Sequence, residues 1–397
     1  MQIGLVGAPS SGKSTFFKAA TMVDVAIASY PFTTIEPNTG IGFVRVPCTD
    51  KELGVTCNPR YGFCHNHIRY VPINILDVAG LVPGAHEGKG LGNKFLNDLN
   101  QADVLIHIVD VSGTTNEEGK PTENHDPSIT VEFLENEIDL WYSDILKKGL
   151  VKVAKQVQSQ KGDIGKTLTD QMSSFKVTES MMDRSISKLN LNKADPVSWI
   201  DEHIIKLAKE LRRLTKPIVI ACNKMDLANG PNNYETLKKK FPNHTMIPCS
   251  ADFELLLKMA AKNGVIEYYP GESDFKLLTP EKLNQKQLDA LEKIREFMKI
   301  HQSTGVQDVL EKAVFEFLNY IAIFPGGMHK LGDKEGRILP DCFLMPPGTT
   351  AFDFANKIHT DLGKGFLFAM DVRKRLKIGR EHELKHRDVI EIISTAK

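Results

Sequence analysis

The chain has 397 residues, enough for two or three domains with their own cores. Lys plus Arg (50) equals Asp plus Glu (50), so bulk charge gives no whole-chain attraction to nucleic acid or membrane; any such patch must be local. Six cysteines are too few for a disulfide scaffold and suit a reducing cytosol, and no apolar run approaches the roughly 18 residues of a membrane helix.

At the start, MQIGLVGAPS has neither a charged n-region nor a long apolar stretch, so no signal peptide is expected and the localisation reads as cytoplasmic. QIGLV reads as a buried strand and STFFKAATM as a helix. Between them GAPSSGKS fits G-x-x-x-x-G-K-[ST] from Gly7 to Ser14. Gly7 and Gly12 let the backbone curl so that amides, including those around Ser10, Ser11 and Thr15, face phosphate oxygens. Lys13 would reach the β- and γ-phosphates, Ser14 would bind Mg2+, and the helix N-terminus adds partial positive charge.

Residues 30–40, YPFTTIEPNTG, offer Thr34, or its neighbour Thr33, to close over the metal and the γ-phosphate. Cys48, Cys57, Cys64, His65 and His67 then crowd one segment. Zinc is one reading; a disulfide, loose thiols or ordinary hairpin residues are the others, since C-x6-C-H-x-H is an unusual ligand spacing. INILD reads as a strand ending at Asp77, a candidate for the water shell of the metal, and Gly80 completes D-x-x-G. The next residue, Leu81, cannot orient an attacking water. His86 or Glu87 in GAHEGKG, a partner, or RNA must do so, and slow turnover is expected. The glycines at 84, 88, 90 and 92 suit a segment that rearranges between nucleotide states.

After VLIHIVDVSG comes a polar loop, 114–125. Asp126-Pro127 reads as an N-cap followed by proline at the first helical position, and Asp195-Pro196 opens a second such helix carrying Trp199, Ile204, Ala208 and Leu211. The expectation is a helical hairpin. Residues 147–176 hold seven lysines against two aspartates, either a basic arm for a phosphate-rich partner or a solvated helix end. PIVIACNKMD then ends a strand in N-K-x-D, Asn223, Lys224 and Asp226, and MIPCSA ends another in Ser250 and Ala251. Polar groups at the carboxyl ends of apolar runs are where open α/β sheets bind ligands. The Asp226 carboxylate can accept two hydrogen bonds from guanine N1 and N2, a donor pair adenine lacks, which argues for GTP.

KQLDALEKIREFMK and VQDVLEKAVFEFLNYIAIF read as amphipathic helices, the latter as the last helix packed on the sheet, and Pro325-Gly326-Gly327 as its end. Residues 338–397 then read as a small β-rich unit, with a helix started by Asp353 and HRDVIEII as the final strand. PPGTTAFDFA followed by IHTDLGKGFLFA resembles the TGS domain, a ubiquitin-like β-grasp module. Residues 373–387 carry seven Lys or Arg against two Glu, either an RNA contact or a charged edge that discourages aggregation.

GAPSSGKST, YPFTTIEPNTG, DVAGLVPGAHEGKGLGNKFL and the C-terminal segment together resemble the Obg-related GTPases, in particular the archaeal-like form of the YchF branch, over nearly the full length. The resemblance implies an α/β fold: a Ras-like P-loop G domain (1–120 and 212–325), a coiled-coil helical insertion (121–211) and a TGS domain (326–397). It also implies GTP and Mg2+ as ligands and cytosolic work near ribosomes or structured RNA, with no membrane, as a monomer. Two departures stand out. Ser10 replaces an Asn that relatives use for potassium activation. Asp226 is kept where better known YchF relatives have lost it and prefer ATP. The rival functions are an ATP-preferring hydrolase and a nucleotide-binding regulator with little turnover.

Overall fold

The computed structural model describes residues 1–22, 38–78, 92–160 and 163–395. Its strands are, in chain order, β1 (Gln2–Gly7), β2 (Thr39–Pro47), β3 (Phe63–His65), β4 (Ile68–Asp77), β5 (Val104–Asp110), β6 (Ile218–Asn223), β7 (Met246–Pro248), β8 (Ile266–Glu267), β9 (Lys276–Leu277), β10 (Ile321–Pro325), β11 (Phe343–Met345), β12 (Phe366–Asp371), β13 (Leu376–Ile378) and β14 (Val389–Ser394). The chain divides into two compact units, 1–19 with 75–309, and 20–74 with 310–397.

The first unit is built on a sheet ordered β1-β5-β6-β7, with the last residues of β4 beyond β1. β1, β5, β6 and β7 run parallel in register, Gly7 beside Ile108 and Asp110 beside Asn223. β5 is buried along its whole length, which is why VLIHIVD reads as a continuous apolar run rather than an alternating one. Parallel strands need crossovers, and these bring the carboxyl ends of β1, β5, β6 and β7 to one edge. Gly4 shows how closely they pack: a Cβ there would lie 2.8 Å from that of Ala102.

The helical part between β5 and β6 is more elaborate than a hairpin. Pro127–Gln160 and Asp201–Thr215 are the two long helices, and Ile164–Gln171 and Glu179–Lys188 lie between them. Asp126 caps the first as expected, accepting the Ser128 amide at 2.9 Å. Asp195-Pro196 instead opens a single 3-10 turn, and the helix starts at Asp201. Trp199 sits in the link, anchored by its indole N–H to the Asn192 carbonyl at 3.0 Å. The helices share one core with the sheet: Leu134, Ile138 and Tyr142 from the first, Leu207 and Leu211 from the last, with Val6, Leu105 and Ile220.

Inside this core Arg212 is 3% exposed and donates from Nε to Asp139 Oδ1 at 2.8 Å, with Glu135 at 3.4 Å. Deleting Asp139 leaves the buried Arg212 charge with only the longer Glu135 contact. Asp139→Ala should therefore destabilise the first unit by about 3–5 kcal/mol. Urea unfolding followed by circular dichroism checks it; a loss below about 1 kcal/mol would mean that the pair is as weak as a solvated one.

In the second unit β2, β4 and β3 form an antiparallel-turned segment, β3 pairing with β4 through the Asn66-His67 turn, both residues at positive φ. A five-stranded sheet ordered β11-β10-β14-β12-β13 carries the helix Ala351–Ile358. β10 and β14 are parallel and the other pairs antiparallel, the mixed pattern of a β-grasp. Phe354, Ala351, Ile323, Ala369 and Ile390 fill its core. HRDVIEII supplies β14, as the sequence leads one to expect. The helix cap is Thr350, with Asp353 as its capping-box partner three residues on. The expected helix over VQDVLEKAVFEFLNYIAIF ends early. Val306–Glu311 is α-helical, 312–317 widens into a π turn, and IAIF becomes β10. Three β-branched or aromatic residues in that run favour a strand once a sheet is there to pair with.

Candidate functional site

β1 ends in Gly7, and the chain turns back before the helix Lys13–Thr21. The turn requires backbone that L side chains rarely adopt, Ser10 at φ +62 and Gly12 at φ +92. A Cβ on Gly12 would lie 2.2 Å from Asn223 Nδ2, so glycine is demanded here by space as well as by φ. Gly7 is equally confined, by the Ile108 carbonyl at 2.7 Å. Phe16 N–H bonds the Gly12 carbonyl at 2.8 Å and starts the helix, leaving the preceding amides without helical partners.

Asn223 ties three strand ends together. Its Nδ2 donates to the Ser11 carbonyl at 3.0 Å and its Oδ1 accepts the Ala251 amide at 3.0 Å. One side chain thus fixes the loop after β1 against the loop after β7. Ser250 is the N-cap of the helix Ala251–Lys262, accepting the Phe253 amide at 3.3 Å, so its hydroxyl is committed to the helix rather than free for a ligand. Lys13 Nζ forms an ion pair with Asp77 at the end of β4, both side chains only partly exposed. Ser14 and Thr15 open the helix at the same edge.

Lys224, at φ +64, reaches Asp110 Oδ2 at 2.8 Å and Thr114 Oγ1 at 3.3 Å. Asp110 also accepts from Ser112, Thr114 and Thr115. Burial works against this carboxylate, but the Lys224 ammonium and the hydroxyls more than offset it and hold its pKa below the ordinary range. Asp226 is half-buried, and Asp252 lies near enough that burial and the Asp226 charge together raise its pKa.

Two features were not read from the sequence. Asp110 organises the site, and the only signal was its place at the end of a strand. The loop 114–125 is an ordered small hairpin, with Thr115 bridged to Pro121, whose Gly119 packs on Pro9: a Cβ there would meet Pro9 Cβ at 2.5 Å. Among the expected groups Thr33, Thr34, Gly80, Leu81, His86 and Glu87 lie outside the described residues.

The surroundings fit a nucleotide with its metal. The glycine-lined cradle would be closed by any added Cβ, and Ser11 Oγ is buried with no hydrogen-bond partner among the described residues. The donor set of ammonium, hydroxyl and carboxylate is what phosphate and a hard cation need.

The basic stretches are partly spent inside the protein. Arg373 and Arg387 both pair with Glu52, Lys374 with Asp371 and Asp388, and Arg380 lies over the Phe352 ring at 3.5 Å. Arg375 and Lys385 remain exposed. No described helix is long and apolar enough to cross a membrane.

Residues 2–137 match the family described as 50S ribosome-binding GTPase, residues 221–326 the Obg-like GTPase YGR210-like, G4 motif-containing domain, and residues 333–394 the TGS domain. An uncharacterized GTP-binding protein of Methanocaldococcus jannaschii is 47% identical, over 100% of this chain and 99% of its own length. A protein named ribosome-binding ATPase YchF from Mycoplasma genitalium is 30% identical over 92% of this chain and 87% of its own. The crystal structure of a GTP binding protein from Pyrococcus horikoshii matches with a TM-score of 0.76 and 37% identity, covering 100% of both chains. With this loop, this Asn223 bridge and this C-terminal module in one chain, the protein belongs to the YchF family of Obg-like P-loop nucleotide-binding proteins.

Proposed function

We propose that the chain is a GTP-binding, slowly GTP-hydrolysing switch that acts on the ribosome or another structured RNA, in the cytoplasm and as a monomer. The observation that carries this reading is the Asn223 side chain, bound to both the Ser11 carbonyl and the Ala251 amide, which supports a base site of N-K-x-D built beside the phosphate loop. Gly7, Ser10, Ser11, Gly12, Ser14 and Thr15 would present backbone amides and hydroxyls to the phosphates, with the Lys13 ammonium facing the β- and γ-oxygens. Ser14, Asp77 and Thr34 would hold Mg2+, which when bound supplies charge neutralisation at the phosphate oxygens. Lys13 and Asp77 pair with each other, and a phosphate would compete with Asp77 for the ammonium. Asn223 and Lys224 shape the base pocket, Ser250 and Ala251 close it, and Asp226 selects guanine. Gly80 and His86 are assigned to the switch whose Leu81 has no group to orient water, which is why slow intrinsic turnover is expected.

The ribosome reading is supported by the descriptions of similar proteins, ribosome-binding GTPase and ribosome-binding ATPase. The second description also supports the alternative of an ATP-preferring hydrolase. Equilibrium binding of GTP and ATP to the purified chain decides between them: at least tenfold tighter GTP is expected, and equal or tighter ATP overturns the base assignment. Sedimentation with ribosomal subunits should show pelleting with a non-hydrolysable GTP analogue and not with GDP. Equal behaviour in both states removes the switch.

A further inference from the structure

Three of the four cysteines of the second unit, Cys48, Cys57 and Cys64, converge. Cys48 lies just after β2, Cys57 in the irregular stretch that follows, and Cys64 in β3. Their sulfurs and a carboxylate oxygen of Asp50 all lie within 4.8 Å of one another. Cys48 and Cys57 Sγ are 3.6 Å apart. Four ligand atoms on a tetrahedron around zinc, with Zn–S near 2.3 Å and Zn–O near 2.1 Å, stand about 3.5–3.8 Å from each other. The cluster therefore closes on an ion with small side-chain movements.

The histidines take other places. His65 is paired with Asn66 at 2.8 Å at the exposed turn, whereas His67 Nδ1 meets Asp50 Oδ1 at 3.0 Å. Asp50 is 2% exposed and also accepts the Lys51 amide at 2.7 Å. Such a hydrogen bond to a carboxylate ligand is the usual way its orientation is fixed. The backbone joins in: Cys48 N–H bonds the His67 carbonyl at 2.7 Å, clamping the two chain segments at the cluster.

An independent observation points the same way. Arg69 is 1% exposed, yet its Nε and Nη1 have no hydrogen-bond partner among the described residues; Nη2 alone donates, to the Leu339 carbonyl. A buried guanidinium with idle donors needs anionic charge close by. Its field reaches Cys48, Cys57 and Cys342. Three thiolates and a carboxylate carry more negative charge than a divalent ion cancels, and Arg69 is placed to take up part of the excess. A disulfide would satisfy two of three converging thiols and strand the third.

We propose that Cys48, Cys57, Cys64 and Asp50 form a structural zinc site that pins the stretch between β2 and β3. All four positions are protein ligands, so the site has no open coordination position and no catalytic part. Zn2+ binds as the thiol protons leave to solvent, and the coordination energy becomes folding energy of this stretch.

The test uses the full chain, purified with zinc in the medium and kept reduced. Elemental analysis should give about one zinc per chain. Replacing zinc with cobalt(II) should produce a thiolate-to-cobalt charge-transfer band and the strong visible bands of a tetrahedral ion. Cys57→Ser and Cys64→Ser should each lose the band and most of the zinc. Should these variants fail to fold, X-ray absorption of the zinc-loaded natural chain reads the site directly, and three sulfurs with one oxygen are expected. Only trace zinc with no cobalt band, a band unchanged in both variants, a shell without three sulfurs, or a disulfide that persists when zinc is offered would each overturn the proposal.

Discussion

Lys13→Ala is expected to lower nucleotide turnover by about 10²–10³-fold, the usual effect of removing one preorganised cation or donor from a site where charge develops. The effect should fall mainly on turnover and triphosphate binding. The partner Asp77 is about a fifth exposed, so losing the ion pair leaves it close to water and the fold intact. Single-turnover measurements with unchanged thermal unfolding check this. Residual turnover at the natural rate would mean that the phosphate-loop assignment is wrong or that another enzyme supplied the activity.

Asp226→Asn should act on choice of base rather than on chemistry. It replaces one carboxylate oxygen with an amide donor facing a guanine N–H, so one charge-assisted hydrogen bond is lost and a donor–donor conflict added. Such a bond contributes about 1.5–3 kcal/mol, which predicts GTP binding weaker by about 10- to 150-fold. ATP binding should hardly change, because adenine offers no donor pair there. Asp226→Glu, which moves the same charge outward by a methylene, should also narrow the preference. Equal losses for GTP and ATP would show that Asp226 supports the loop instead of reading the base.

The phosphate-loop strand and helix, the strand ending at Asp77 and the N-K-x-D strand were legible because each is a short apolar run met by a motif with fixed geometry. The β-grasp was legible from its loop and last strand. What escaped were places where a long-range partner decides. IAIF continues a helical pattern, and β11 and β14 turn it into β10. The Asn223 bridge could be anticipated in type, but Ser250 proved to be a helix cap, since a Ser before an apolar helix serves both readings equally in sequence. Asp110 looked like one more strand end until Lys224, more than a hundred residues on, was seen to bind it. Among the clustered Cys48, Cys57, Cys64, His65 and His67, the unusual C-x6-C-H-x-H spacing left zinc, a disulfide and ordinary hairpin residues open. In the fold Asp50, which no motif contains, lies with the three cysteines. The basic segment 373–387 read as either an RNA contact or a charged edge, and its two end arginines are held by Glu52 from the other end of the chain.

The second unit unites 20–74 with 310–397, and this has a consequence for how the protein is made. At roughly 5–20 residues per second of synthesis, residues 39–74 leave the translating ribosome on the order of ten to fifty seconds before the strands and arginines that share their unit exist. During that interval β2, β3 and β4 can form a hairpin but cannot acquire the Glu311 partner of Arg45 or the carbonyls at 338–340 that the 55–60 stretch binds. The nascent chain therefore carries Arg45 and the 55–60 stretch without their partners through most of its synthesis, an interval in which a chaperone would shield them.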